Sequence, residues 1–364
     1  MLAAATGVVV ELILDLPSLQ KALVRLDGGA EGPCVSYPSL CGVLSAGDRV
    51  LVNTTAVDLG LGSGGVHFVV AKLGWEGRSV YSPGPGHIVK LRYTPLQHTV
   101  LACEEADSPF HAALAEAQSL EGMPVVAAQL HSQVAPAVLG IAEAADRAGI
   151  PRPRTAYVMT DSAALPLALS DSVRLLKDQG LLCGTVSCGQ AFGGDLEAVN
   201  LYSGLAAAHT ALRCDIAVVC QGPGNVGTGT ALGFGGIDQA LAINAAAALE
   251  GRPVGVLRIS FADSRERHRG VSHHTITALC RAALAQAEVA VPAGLPRTDG
   301  VAEALALIGR KHVLREVDAS GAVDLLRAAD VRLQSMGRSV DDDPWFFIAA
   351  VCAGRLAFEL CRSG

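Results

Sequence analysis

The sequence predicts an α/β protein in two parts. Residues 1–105 form a small β-barrel-like domain, and residues 106–364 an α/β domain on a mainly parallel, doubly wound sheet. Two observations carry this. Up to about residue 105 the chain reads as short apolar runs at close spacing, broken by Gly, Asp and Pro, which is the pattern of a barrel or sandwich. Beyond about residue 109, strand-like runs alternate with Ala-rich stretches of helical length at intervals of roughly thirty residues, the spacing that successive βα units need.

In the first part the predicted strands are VVVELIL, ALVRL, DRVLVNT, HFVVAKL, HIVKLRY and HTVLACEE, with Asp27-Gly28-Gly29 as a hairpin turn. In the second they are PVVAAQL, TAYVMT, GTVSC, DIAVVC, PVGVLRIS, AEVAVP and HVLREV. Both faces of such a sheet are covered by helices, so its strands are continuously apolar. Seven or eight βα units also fit a TIM-like barrel, which is the alternative fold. The last helix starts at Pro344, behind Asp341-Asp342-Asp343, because carboxylates favour the positive helix end and Pro suits its first turn. Trp345, Phe346 and Phe347 are expected to pack this helix on the body or on a second subunit.

The chain has 364 residues, 28 of them basic and 35 acidic, for a net charge of −7. The Lys and Arg are dispersed, so no nucleic-acid footprint is predicted. The apolar start, MLAAATGVVVELILDL, lacks a basic leader and carries Glu11 and Asp15; no run of eighteen uninterrupted apolar residues follows, so neither a secretory signal nor a membrane span is expected. The expectation is a cytoplasmic protein, a homo-oligomer, with a small anionic ligand as partner. Ten cysteines without CxxC or metal-ligand spacing read as reduced core thiols, with Cys188 beside a glycine-rich turn as the exception.

In parallel α/β sheets ligands bind outside the carboxyl ends of the strands. At those ends stand His131-Ser132, Asp161-Ser162, the segment from Gly189-Gln190 to Asp195, Gln221 with the loop that follows, and Asp263 with Arg265 and Arg267. Helix caps account for Ser and Asp, but caps do not call for His or Gln. The loop Gly222-Pro223-Gly224-Asn225-Val226-Gly227 has GxGxxG spacing. Pro223 removes a donor, however, and no acidic residue ends a strand about twenty positions on, so a dinucleotide is disfavoured. With Thr228, Gly229 and Thr230 the loop instead supplies backbone N–H groups and hydroxyls suited to a phosphate or carboxylate, ahead of a helix over 237–250. There is no GxxxxGK[ST], so a P-loop is disfavoured.

The stretch FADSRERHRGVSHHTITAL brings together Asp263, Arg265, Arg267, His268, Arg269, Ser272, His273 and His274, without matching HExxH. Read blandly, it is a basic loop followed by a helix capped by Ser272. Clustered His and Arg at a cleft favour function. A third stretch, GPGHIVKLRYTPLQ, puts Lys90 and Arg92 on one face of a strand, which reads as its solvated side.

Five segments, GDRVLVNTTAVDLGLGSGG, GHIVKLRYTPLQ, GTVSCGQAFGGDLEAVNLYSG, QGPGNVGTGTALGFGG and SFADSRERHRGVSHHT, resemble a bacterial family catalogued only as a domain of unknown function. The resemblance covers nearly the whole chain. It implies that these stretches, with Asn53-Thr54-Thr55 and Asp195-Leu196-Glu197, are family hallmarks, and it carries no reaction or cofactor.

The resulting expectation is an enzyme acting on a small phosphate- or carboxylate-bearing substrate by hydrolysis or group transfer. His131, His273 and His274 are proton-transfer groups or metal ligands, Asp161, Asp195 and Asp263 orient or ligate, and Gly222, Gly224, Asn225, Gly227, Thr228, Gly229 and Thr230 hold the anion. No cofactor and no metal is assigned. The rival is a non-catalytic metabolite-sensing protein whose barrel is an interaction module.

Overall fold

The structure is a computed structural model describing residues 2–61, 65–74, 86–298 and 300–363. Residues 62–64 and 84–85 of the quoted segments lie outside the described residues. The chain divides into two compact units, one ending at Thr99 and the other beginning at Val100.

The first unit is a closed barrel of β1 (Ala4–Leu16), β2 (Leu19–Leu26), β3 (Glu31–Ser36), β4 (Arg49–Asn53) and β5 (His67–Lys72), in the order β1-β2-β3-β5-β4. All its pairings are antiparallel except β3 with β5. Alternate residues such as Ala22 and Val24, and Val50 and Val52, fill its core, as period-2 side chains must. β3 was not predicted, because Gly32-Pro33 reads as a turn. Pro33 is tolerated because β3 meets β5 only at Cys34 and Val35, past the missing N–H. A two-stranded sheet, β6 (Ile88–Lys90) with β7 (His98–Val100), follows. The predicted strand HIVKLRY stops at Lys90, since Leu91 and Tyr93 take positive φ of 50° and 61°. Lys90 is buried, not on a solvated face.

The second unit is built on β8 (Pro124–Ala127), β9 (Thr155–Thr160), β10 (Gly184–Cys188), β11 (Leu196–Ala198), β12 (Ile216–Gln221), β13 (Arg252–Gly255), β16 (Glu288–Pro292) and β17 (Val313–Val317). A short antiparallel pair, β14 (Ile259–Ser260) and β15 (Gly270–Val271), interrupts the series. The eight strands form one open parallel sheet in the order β11-β10-β9-β12-β8-β13-β16-β17, which excludes the TIM-like alternative. Strand residues alternate between two cores. Val126, Tyr157, Met159 and Val218 face the helices 134–148, 171–178, 322–328 and 344–362; Val125, Ala127, Val158 and Val219 face the helices 201–210, 238–248 and 301–308.

One helix among the described residues, Pro344–Arg362, is long and apolar enough to cross a bilayer, yet 78% of that span is buried inside the protein. Phe346 and Phe347 are core residues. The helix crosses Val134–Ala148 at backbone contact: a Cβ at Gly354 would lie 2.0 Å from the Ala137 carbonyl oxygen, and one at Gly140 2.2 Å from that of Val351. Arg355, buried at this crossing, pairs with Glu143 at 2.9 Å.

Candidate functional site

β8 and β12 are neighbours, but the helices that follow them, Val134–Ala148 and Asp238–Ala248, lie on opposite faces. The chain therefore parts at their carboxyl ends, and a crevice opens there. Where the strands diverge they lose ladder partners, and buried glutamines replace them. Gln133 Oε1 accepts from the N–H groups of Gln129 and Leu130, and its Nε2 donates to the Leu257 carbonyl at 3.1 Å. Gln239 donates to the carbonyls of Ala127 and Val256 at 2.9 and 2.7 Å. Gln221 donates to Gln129 and to Asn225 Oδ1.

The crevice contains a pocket of about 190 Å³, whose lining includes Asn225, Gly227 and Gly229 on one side and Arg258, Arg265, Arg267, His268 and His274 on the other. The loop side is a tight lobe. Asn225 Oδ1 accepts from Gly236 N at 2.9 Å, and Gly227 bridges to Phe234. Gly224 and Gly229 take φ of +94° and +82°, which L side chains rarely adopt. The basic side grows from the β14/β15 pair, whose connecting loop carries Asp263, Arg265, Arg267 and His268. Ser272 then caps a short helix by accepting from His274 N, which puts His273 and His274 in its first turn, ahead of a π-helical turn at Thr277–Ala282. The bland reading of Ser272 as a cap and the clustering of imidazoles are thus both realised.

Positive charge dominates. Asp263 is buried, and its carboxylate takes Arg265 at 2.8 Å and Arg338 at 3.2 Å, with Arg258 at 3.8 Å. Burial opposes its ionisation, yet the Arg265 guanidinium holds it well below the usual carboxylate range. Arg258 is only 4% exposed, and its pKa is pushed down to about 10 by burial and then by Arg265. It remains a cation at neutral pH, with Asp263 at 3.8 Å and Asp343, itself bound to Arg338 at 3.1 Å, as the carboxylates that act on it. Burial, followed by the neighbouring His273 and arginines, takes His274 to about 3; burial and Arg258 take His268 to about 3; His273 is lowered by burial and Arg267. All three are therefore neutral imidazoles. His274 stacks on Phe234 with centroids 3.9 Å apart. Arg258 Nη1 approaches His274 Nδ1 at 3.4 Å, while the Nε2 atoms of His273 and His274 are buried without hydrogen-bond partners.

The expected site residues divide. His274, Asn225, Gly227 and Gly229 line this pocket, Asp263 pairs with Arg265 of its lining at 2.8 Å, and His273 lies beside it, its ring 4.3 Å from that of His274. Gly222 is packed against the backbone, where a Cβ would meet the Ala164 oxygen at 2.3 Å, and Gly224 points into open space. Thr228 and Thr230 use their hydroxyls on each other, at 2.9 Å, and on Gly233. The GxGxxG spacing does not open a helix, since Asp238–Ala248 begins well beyond the loop.

Three expected residues lie elsewhere. His131 bonds Ser170 Oγ through Nε2 at 2.7 Å and faces the Tyr157 hydroxyl through Nδ1, and burial lowers it to about 4. Asp195 folds back to the start of β10, where it accepts from Thr185 and pairs with Lys177. Asp161 accepts from Gln190 N and lines a separate pocket of about 360 Å³ with Cys188 and Asp238. Arg258 was missed. Its signal was an arginine inside the apolar run PVGVLRIS, where a buried charge requires a partner or a ligand.

A fold of this class, a doubly wound α/β unit with a basic crevice at its switch point, accompanies a family match across most of the chain. Residues 33–354 match the family described as "Protein of unknown function (DUF3866)", and the chain belongs to it. No curated protein and no solved structure matches it.

Proposed function

We propose that the switch-point crevice binds the phosphate or carboxylate group of a small molecule, and that the protein is an enzyme acting on that molecule by hydrolysis or group transfer. The observation that carries this reading is the excess of guanidinium groups. Arg258, Arg265 and Arg267 line one small pocket, and together with Arg338 they set four guanidinium groups against two buried carboxylates, Asp263 and Asp343. An oxyanion supplies the missing charge and accepts the fork of donors that arginine presents. The contact from Arg258 makes His274 Nδ1 an acceptor, and its buried Nε2 has no hydrogen-bond partner. At about 190 Å³ the pocket encloses a charged head group, with the remainder of the substrate outside. His273 and His274, neutral at pH 7, are the groups available for proton transfer.

The test is thermal denaturation with inorganic phosphate, pyrophosphate, sugar phosphates and small carboxylates. A ligand at 100 times its Kd stabilises by about 2.7 kcal/mol, a readily measured rise in melting temperature. Arg267 is exposed, so Arg267→Ala should fold normally yet weaken the response severalfold. An absence of response to every anion, or an undiminished response in an Arg265→Ala/Arg267→Ala double variant, would refute the proposal.

A further inference from the structure

We infer that His268, His273 and His274 form a site for one divalent transition metal of the zinc class at the wall of the anion pocket, an inference that rests on the reading of that pocket given above. One ring nitrogen of each residue lies within 4.8 Å of the others. Tetrahedral zinc with Zn–N bonds of about 2.0–2.1 Å needs nitrogens roughly 3.4 Å apart, so each ring has to move inward by less than about 1 Å, within the reach of small side-chain rotations. The chemistry of the donors points the same way. A buried nitrogen without a partner costs about 1–3 kcal/mol, and the cluster holds two, on His273 and on His274. His268 is oriented from behind by Ser272 Oγ, 2.7 Å from its Nδ1, which is the outer support that metal-binding imidazoles have. His274 is fixed by its stack on Phe234.

Three imidazoles without a carboxylate suit Zn, Co, Ni or Cu and not Mg or Ca. Three protein ligands also leave a fourth position open, as in catalytic zinc sites, where bound water ionises near neutral pH. Ligation through Nε2 places the His274 ring proton on Nδ1, so Arg258 must turn from that atom toward Asp263, 3.8 Å away. The neighbouring arginines oppose a lone dication, and an oxyanion in the pocket removes that opposition. Metal and anion should therefore bind with positive coupling, each raising the affinity of the other by the same factor.

The experiment uses the full chain stripped with a chelator. Zn²⁺ is titrated calorimetrically with and without inorganic phosphate, and Co²⁺ absorption reports the geometry. The expected result is one Zn²⁺ per chain, bound more tightly with phosphate, and a tetrahedral Co²⁺ spectrum. Affinity should fall about tenfold or more in His273→Gln and in His274→Gln, while His111→Gln leaves it unchanged. Circular dichroism of the metal-free variants establishes that they are folded. Failure of the folded wild type to take up stoichiometric Zn²⁺ in either condition, or equal uptake by both variants, would overturn the metal site. A phosphate-induced thermal shift that persists in metal-free protein would then leave the anion reading standing, whereas Zn²⁺ uptake without any anion response would remove that reading and keep the metal.

Discussion

Replacing Asp263 by Asn removes one negative charge and little volume from the centre of an arginine cluster. In the native protein this carboxylate sits among Arg265, Arg338 and Arg258, and both it and Arg258 are buried. Removing one partner of a buried ion pair costs about 3–5 kcal/mol, because the remaining charge stays desolvated. An amide keeps one acceptor, so about 3 kcal/mol is the reasonable figure. At a urea m-value of about 3 kcal/mol/M this lowers the unfolding midpoint by about 1 M. The linkage sign is fixed. Asp263 has a depressed native pKa, so its contribution is fully present above the unfolded value of about 4 and is lost as the pH falls through the native value. The variant and the wild type should therefore differ most at neutral pH and converge in acid. The orphaned guanidinium groups should also recruit an external anion, so phosphate should raise the midpoint of Asp263→Asn by more than that of the wild type. Equal midpoints at pH 7, or a phosphate response no larger in the variant, would refute the argument that this carboxylate holds together a charge-deficient anion site.

Three further outcomes follow. Because His268 and His274 have native values near 3 against about 6.5 unfolded, the unfolded chain binds more protons between those limits; stability should fall as pH drops from about 6.5 toward 3, with a shallower slope in His274→Gln, measured by urea denaturation across that range. Gly354→Ala should destabilise by about 1–3 kcal/mol or more in the same assay, since its Cβ would lie 2.0 Å from the Ala137 carbonyl oxygen and force the two helices apart. Asp195→Ala should lower the melting temperature while leaving the phosphate-induced shift intact, because this carboxylate serves Lys177 and Thr185 at the opposite end of β10.

The contrast between Asp195 and Asp263 shows how far the sequence could be read. Both follow predicted strands in glycine- or polar-rich loops, and both were assigned to a shared crevice. The βα rhythm located the parallel strands, since a periodic pattern of buried residues is a local property, but PVGVLRIS, read as one strand, divides into β13 and β14 in different sheets. The rhythm carried no information on β11, whose three residues follow β10 after a short loop that turns Asp195 back toward the Lys177 helix. His131 shows the same limit: it stands just beyond β8, and its nitrogens meet Tyr157 and Ser170, both distant in sequence. The residues of the basic loop stay together because they are dense in sequence, and any fold that places one of them at the crevice brings the others with it.

The glycine loop and the histidine cluster also explain each other's composition. Gly227 lies opposite His274, and a Cβ there would stand 3.4 Å from the ring's Cε1, so a larger side chain would fill the space into which the imidazole and the arginines project. Asn225 fixes the same lobe from below, accepting from Gln221 and Gly236, and Gln221 in turn is anchored to Gln129 on β8's carboxyl end. The loop is thus a wall held at a set distance from a cationic surface, and Gly227 serves that spacing. A wall of this kind predicts a graded response. Gly227→Ala should keep the fold and most of the anion response, since 3.4 Å is ordinary contact, while Gly227→Val should abolish the response with little change in the melting temperature of the ligand-free protein. Full anion binding in Gly227→Val would mean that the ligand enters from elsewhere and that the loop is only a turn.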